Sequence, residues 1–258
     1  MRSPLLTWSL LVIGAALVAV GCGAAGSDAG EVPPAPLPTI GLGSEFESPG
    51  RPGVISGAAD VRAAGADEID TVVMIGDSIT RGSTPKLYER FETMGIENIL
   101  IESQNGKRIA VSSSDNPSGA AIAGFLMSAE DSADSDDGLD DDHSNEMWVV
   151  ALGTNDVGQY SSPDQIAAAV NEVLAAVPDE SPVVWVDVYF RDRPEQQELI
   201  NSIIADRLER RGNAVLAPWS FFGGAEGVTV GDGVHPTESG KDAFAFVVAD
   251  TVQAFLDR

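Results

Sequence analysis

The C-terminal part of the chain, residues 67–258, predicts an α/β domain in which helices cover both faces of a five-stranded parallel sheet, giving three layers. Short apolar runs alternate there with longer segments whose apolar residues recur at helical spacing. Such alternation favours parallel strands, because each helix carries the chain back across the sheet. With five strand candidates we expect a flavodoxin-like fold with strand order 2-1-3-4-5.

Ten segments carry the alternating pattern. The strand candidates are Thr71–Ile75, Asn98–Glu102, Met147–Leu152, Val183–Tyr189 and Ala214–Pro218. The helix candidates are Pro85–Met94, Ala120–Ser128, Pro163–Val177, Glu195–Arg211 and Gly240–Leu256. The helical period is clearest in the last two. With 43% hydrophobic residues in the whole chain, this region can bury the core of one domain.

The first 22 residues predict an export signal. Arg2 precedes an apolar run, Leu5–Val20, that is short for a transmembrane helix but typical of a signal peptide. The sole cysteine, Cys22, follows in Ala19-Val20-Gly21-Cys22, which resembles a bacterial lipobox. We therefore expect lipidation of Cys22 and anchoring to the outer face of the cytoplasmic membrane, with no other membrane contact. The alternative is an ordinary signal peptide and a secreted protein.

Residues 23–66 predict a disordered tether. They are rich in Gly, Ala, Pro and acidic residues and show no hydrophobic period. A coil of this length has a root-mean-square span of roughly 35–40 Å, which would hold the domain clear of a membrane.

Net charge sets limits on partners. The formal charge of −25 argues against nucleic-acid binding, because a phosphate backbone would repel the chain. The densest acidic run, residues 130–142, suggests a calcium loop, but with Gly138 in sixth place the first ligand would be Ala133 and the twelfth Ser144. A run of this kind is more typical of a solvated loop, and we predict no metal site.

The first strand ends in Gly76-Asp77-Ser78, which places a serine hydroxyl at the C-terminal tip of a strand where a helix begins. A serine there can be a nucleophile if a base and oxyanion donors are near. On its own, Ser78 could equally be a helix N-cap.

A base is available in the segment Asp232–Pro236. His235 is one of only two histidines, and the other, His143, follows the acidic run. Asp232 precedes His235 by three residues, so its carboxylate can reach Nδ1–H while Nε2 faces the serine. The alternative for His235 is a loop residue that caps the final helix.

Three blocks in this order resemble the SGNH branch of the GDSL esterase/lipase family. They are Gly76-Asp77-Ser78-Ile79-Thr80, Gly153-Thr154-Asn155-Asp156 and Asp232-Gly233-Val234-His235-Pro236. The family's remaining block, a glycine after the second strand, is matched by Gly106. The resemblance covers most of residues 67–258.

The resemblance implies a catalytic triad of Ser78, Asp232 and His235. It also implies an oxyanion hole formed by the amides of Ser78 and Gly106 and the side chain of Asn155, with no metal or organic cofactor. Asn155 and Gly106 could instead be simple turn residues.

By this resemblance we expect a serine hydrolase that cleaves acyl or acetyl esters of small molecules, glycans or lipids through an acyl-enzyme on Ser78. One alternative is an O-acyltransferase acting on envelope glycans, and another is a non-catalytic ligand-binding lipoprotein. The oligomeric state is left open.

Neighbouring residues have expected roles as well. We expect Asp77 and Asp156 to tie loops to backbone amides, and Arg191 and Arg193 to rim the site. Three aromatic residues before the base would either wall a substrate pocket or pack under the final helix. They are Trp219, Phe221 and Phe222.

Overall fold

The computed structural model describes residues 69–130 and 145–257. The strands are β1 (Thr71–Gly76), β2 (Asn98–Ser103), β3 (Glu146–Ala151), β4 (Val183–Val186) and β5 (Ala214–Ala217). The helices are α1 (Ser78–Thr93), α2 (Gly119–Glu130), α3 (Pro163–Leu174), α4 (Pro194–Arg211), α5 (Trp219–Gly223) and α6 (Glu238–Leu256), with a 3-10 turn at Thr154–Asp156. The predicted signal peptide, Cys22, the tether and nearly all of the acidic run lie outside the described residues.

The five strands form one parallel sheet in the order β2-β1-β3-β4-β5, which confirms the predicted fold. Gly76, the last residue of β1, pairs with Ser103 at the end of β2 and with Ala151 at the end of β3. The chain segments that follow these three strands therefore leave the sheet side by side at one edge, where sites in such sheets form.

Both faces of the sheet are buried. Val72 and Met74 of β1 face a core completed by α1, α5 and α6, while Val73 and Ile75 face a second core completed by α2, α3 and α4. Fully burying one large apolar side chain, such as Phe91 in the first core, contributes roughly 1.5–3 kcal/mol. This two-sided packing fixes the positions of the strand ends. None of the described helices has the length and apolar character to cross a membrane.

Helix α1 begins seven residues before the predicted start at Pro85. Gly82 and Pro85 lower the helix propensity of the first turns. The Asp77 carboxylate caps the helix by accepting the Ile79 amide at 2.9 Å, and the helix packs on the sheet through Leu87. Capping and tertiary packing thus outweigh the local propensity.

Strand β4 ends three residues before the predicted end at Tyr189. Beyond it, both backbone groups of Val188 bond the side chain of Asn201 on α4, each at 2.8 Å. The short helix α5 was not predicted. Its Trp219 packs edge-on against Phe244 of α6, with ring centroids 5.2 Å apart, so this aromatic residue lies under the final helix.

Candidate active site

Ser78 is the first residue of α1. Its Oγ lies 3.0 Å from Nε2 of His235, and Ser78 is partly exposed to solvent. The turn that presents it requires a glycine at position 76, because a Cβ there would lie 2.0 Å from Oγ1 of Thr80. The sharp turn from β1 into α1 therefore places the hydroxyl at the exposed edge of the sheet.

Asp232 orients His235. Its Oδ2 lies 2.8 Å from His235 Nδ1, and its Oδ1 accepts the amides of Val234 and His235 at 2.9 and 3.0 Å. Partial burial tends to raise the pKa of Asp232, but these hydrogen bonds outweigh it and lower the pKa to about 2. An ionised Asp232 accepts a hydrogen bond from Nδ1–H and so keeps that proton on Nδ1, which leaves the lone pair of Nε2 free to accept a proton from Ser78.

The loop that carries this pair is held by backbone contacts. The Val230 amide donates to the His235 carbonyl at 2.8 Å, and the Gly233 amide donates to the Val230 carbonyl at 2.9 Å. Arg191, which follows β4, donates its amide to the Gly233 carbonyl at 3.1 Å and its guanidinium to the Gly231 carbonyl at 2.5 Å. Arg191 thus fastens the loop to the sheet.

Asn155 lies on the 3-10 turn after β3. Its Nδ2 donates to Asp77 Oδ2 at 3.1 Å and to the Lys107 carbonyl at 3.0 Å. Asp77 directly precedes Ser78, and Lys107 directly follows Gly106. One carboxamide therefore links the turns that carry the other two oxyanion candidates.

The amides of Ser78 and Gly106 are available to a ligand. Neither donates a hydrogen bond to another group within residues 69–130 and 145–257. Gly106 has φ +74°, a left-handed conformation that favours glycine. The amide of Ser78 also lies at the N-terminus of a 16-residue helix, where the helix dipole favours negative charge.

Residues 74–243 match the family model of GDSL-like lipases and acylhydrolases, which spans well over half of the chain. This chain is a member of the GDSL-like lipase/acylhydrolase family. The family resemblance and the α/β fold expected from the sequence are thereby confirmed. A comparison with curated proteins gives no match.

Solved structures show the same fold. TesA is 19% identical over 72% of this chain and 99% of its own, with a TM-score of 0.53. An acetyl esterase variant with an acetate ion is 17% identical over 72% of this chain and 98% of its own, at 0.52. A psychrotrophic esterase, EstA from Pseudoalteromonas sp., is 13% identical over 73% of this chain and 100% of its own, at 0.50.

In this GDSL-family domain Asp156 ties the turn after β3 to the loop after β2. Its carboxylate accepts the Ile109 amide, Arg108 Nε and the Tyr160 hydroxyl, at 3.0, 3.0 and 2.9 Å. Burial raises the pKa of Asp156 in spite of these bonds. The side chain bonds neither Ser78 nor His235, which agrees with the loop-tying role expected for it.

Lys107 is a residue that the sequence analysis missed. Its side chain is fully buried, donates Nζ to the Pro117 carbonyl at 3.0 Å and has a pKa lowered by that burial. With the bond from Asn116 Nδ2 to the Asn105 carbonyl, at 2.9 Å, it closes the loop around Gly106. A lysine within a polar turn carries no local signal of burial.

Asp187, which directly follows β4, is a second residue that the sequence analysis missed. Burial raises its pKa to about 7 against the hydrogen bonds that it accepts from the amide and hydroxyl of Ser220, both at 2.5 Å. A cavity of about 10 Å³, room for roughly one water, lies between Asp77, Asp187 and Trp219.

Arg193 and Phe221, two further residues expected near the site, lie in different surroundings. Arg193 donates to the Val157 carbonyl at 3.0 Å and stacks on Phe190, so it supports a different turn from that of Arg191. Phe221 is 65% exposed at the edge that carries the site. Among the described residues no group of three or more His, Cys, Asp or Glu side chains is placed to hold a metal ion.

Proposed function

We propose that this GDSL-family protein hydrolyses carboxylic esters through an acyl-enzyme on Ser78. The observation that carries the proposal is the unbroken chain from Asp232 Oδ2 to His235 Nδ1 (2.8 Å) and from His235 Nε2 to Ser78 Oγ (3.0 Å). These two hydrogen bonds pair the nucleophile Ser78 with the base His235, and His235 with the ionised carboxylate of Asp232, which sets the tautomer of the ring.

Acylation follows from this geometry. His235 takes the proton of Ser78 as Oγ attacks the ester carbonyl carbon, and Asp232 stabilises the imidazolium that forms. The oxyanion accepts hydrogen bonds from the amides of Ser78 and Gly106 and from Asn155. The intermediate collapses when His235 gives its proton to the leaving alcohol, which leaves the acyl group on Ser78.

Deacylation repeats these steps with water. His235 takes a proton from a water that attacks the acyl carbonyl, and the same donors stabilise the second oxyanion. Proton return to Ser78 Oγ releases the carboxylic acid. His235 carries every proton in this cycle, so the mechanism requires no second general base.

For the substrate we propose short acyl esters, such as acetyl esters, on an extracytoplasmic glycan. The side chains of His235 and Asp232 are 48% and 49% exposed, so a bulky polymer can approach the nucleophile. The cavity behind Asp77 is too small for an acyl chain. Export by residues 1–22, and anchoring through Cys22, would place the enzyme beside such polymers.

Ester hydrolysis by residues 23–258 tests the proposal. We expect p-nitrophenyl acetate to be cleaved faster than the palmitate, and the Ser78→Ala variant to lose at least about a thousandfold in kcat. Ser202→Ala, on the exposed face of α4, is the matched serine control and should keep wild-type activity. A Ser78→Ala variant as active as the wild type would exclude the mechanism.

Acetate release from an O-acetylated glycan tests the substrate. Product analysis in the presence of free acceptor sugars separates the hydrolase from the acyltransferase alternative, since a transferase would move the acetyl group to sugar rather than to water. No acetate release, together with fast cleavage of long-chain esters, would refute the glycan substrate.

A further inference from the structure

The side-chain amide of Asn155 has both of its hydrogens engaged. An asparagine Nδ2 carries two hydrogens, and here one is donated to Asp77 and the other to the Lys107 carbonyl. An oxyanion would be a third acceptor for the same group. One existing bond must therefore be shared or released when negative charge forms on the substrate.

The two bonds differ in what holds their acceptors. The Lys107 carbonyl belongs to a loop pinned by the buried Lys107 side chain. The other acceptor is the carboxylate of Asp77. Its Oδ1 is already fixed, because it accepts the Ile79 amide at 2.9 Å. Oδ2 is thus directed at Asn155 by the first turn of α1, next to the nucleophile.

We propose that Asp77 is a positioning residue for the oxyanion hole: its Oδ2 holds the Asn155 carboxamide beside Ser78 and shares that N–H with the oxyanion in the transition state. This inference rests on the proposed ester hydrolysis. Before the substrate binds, the Asp77 carboxylate already holds the N–H of Asn155 in an orientation that suits a negatively charged acceptor. Little reorganisation is therefore needed when the oxyanion forms.

The charges around Asp77 are consistent with this arrangement. Burial has the largest effect and raises the pKa of Asp77 to about 7 against the lowering by the Ile79 amide, His235 and the Thr154 side chain. Asp156 raises it through like charge.

Asp187 shares a small cavity with Asp77, and Lys107 lies on the neighbouring turn. The carboxylate of Asp77 is buried. A proton bound to its Oδ2 would occupy the oxygen that accepts the hydrogen bond from Asn155, so the two compete.

Asp77→Asn separates this role from helix capping. Asparagine caps a helix as well as aspartate does and can still accept the Ile79 amide through Oδ1. Its Nδ2, however, would face the Nδ2 of Asn155, so two donors would meet and the bond would be lost. The matched control is Asp187→Asn, which neutralises an equally buried acid that does not bond Asn155.

Steady-state kinetics form the first test. We expect Asp77→Asn to lower kcat by about 10- to 100-fold with KM changed less than about threefold, since the oxyanion exists only in the transition state. Asp187→Asn should stay within about threefold of wild type in both. An Asp77→Asn variant with wild-type kcat would overturn the inference.

A double-mutant cycle shows whether Asp77 acts through Asn155. Asn155→Ala should lower kcat by about 100- to 1000-fold, and adding Asp77→Asn should lower it no further, because the group to be positioned is gone. If the two losses multiply instead, Asp77 acts independently of Asn155 and the proposal is wrong.

The side-chain amide resonances of Asn155 supply a test that needs no turnover. In the His235→Ala background, which removes the imidazole and its lowering effect on the pKa of Asp77, we expect them to shift with a midpoint above pH 7, as Asp77 ionises. The shift should persist with Asp187→Asn and vanish with Asp77→Asn. Absence of this shift in the His235→Ala variant would refute the positioning role, whereas failure of the wild-type enzyme to cleave any ester would refute only the proposed function.

Discussion

Ser78 Oγ lies 3.0 Å from His235 Nε2, although 157 positions separate the two residues in the chain. Ser78 leaves the end of β1, and His235 lies on the loop that enters α6. The two meet because α1 and α6 pack on the same face of the sheet, within one buried core. Each contact that supports this pair yields a measurable consequence.

Replacing Asp232 by asparagine tests the tautomer of the base. An amide at this position would present its N–H to Nδ1, so the ring would carry its proton on Nε2 and could not accept from Ser78. We expect kcat to fall by about 10,000-fold with the loop intact. Circular dichroism and the pH-rate profile are the checks, and a loss of less than tenfold would contradict this role.

Replacing Arg191 by alanine tests how the catalytic loop is held. The variant loses the bond from the guanidinium to the Gly231 carbonyl. Since this side chain is 45% exposed, the loss should be about 1 kcal/mol, or roughly fivefold in kcat/KM. Arg193→Ala is the matched control because it supports Val157 instead. Equal losses in both variants would show that Arg191 has no special tie to the loop.

Replacing Gly106 by alanine tests the conformation of the second oxyanion turn. Its Cβ would have room, with Asn116 Nδ2 nearest at 3.7 Å, so the cost comes from φ +74°. This left-handed strain is about 1–2 kcal/mol, and we expect it to redirect the amide and lower kcat roughly tenfold. Gly124→Ala, on α2 with nothing within 4 Å of its Cβ, should instead stabilise the protein at unchanged kcat.

The pH dependence of stability tests the buried acids. The pKa values of Asp77 and Asp187 are raised from 3.8 to about 7, so between these values the folded protein holds protons that the unfolded chain has released. The stability that these two acids contribute is therefore fully present below about pH 3.8 and falls as the pH rises to about 7. The slope is about 1.4 kcal/mol per pH unit for each acid.

Urea unfolding from pH 5 to pH 8 measures this fall in the free energy of unfolding. Asp187→Asn should reduce the slope of this fall by the contribution of one acid, about 1.4 kcal/mol per pH unit. Asp206→Asn should leave it unchanged, because that exposed group has a pKa lowered by Arg210. A wild-type protein more stable at pH 8 than at pH 5 would show that the buried acids do not dominate.

Much of the fold follows from the local pattern, and the departures have local causes. All five strands and the five long helices lie where the hydrophobic period predicts them. The start of α1 was misplaced because the cap at Asp77 and the burial of Leu87 outweigh the low helix propensity at Pro85. Leu87 is buried only once the helix packs on the sheet, so the local sequence does not show this gain. The end of β4 was misplaced because Asn201, on another helix, takes over the backbone bonds of Val188.

The candidate site divides in the same way. The residue types at three strand ends, together with one histidine loop, were readable from spacing and from family resemblance. The burial of Lys107 and Asp187 was not, since both are charged residues in turns and only the packing of other segments encloses them. The same holds for the fastening of the histidine loop by Arg191.

The sequence by itself determined the order and kind of the elements and the chemical groups at their ends, because hydrophobic period and turn residues are local properties. Only the tertiary structure decided that Asn155 bonds Asp77 and Lys107, residues 78 and 48 positions away. Such bonds depend on which strands pair and in what register. Parallel pairing aligns the ends of β1, β2 and β3, and that alignment brings three separate turns within hydrogen-bond distance.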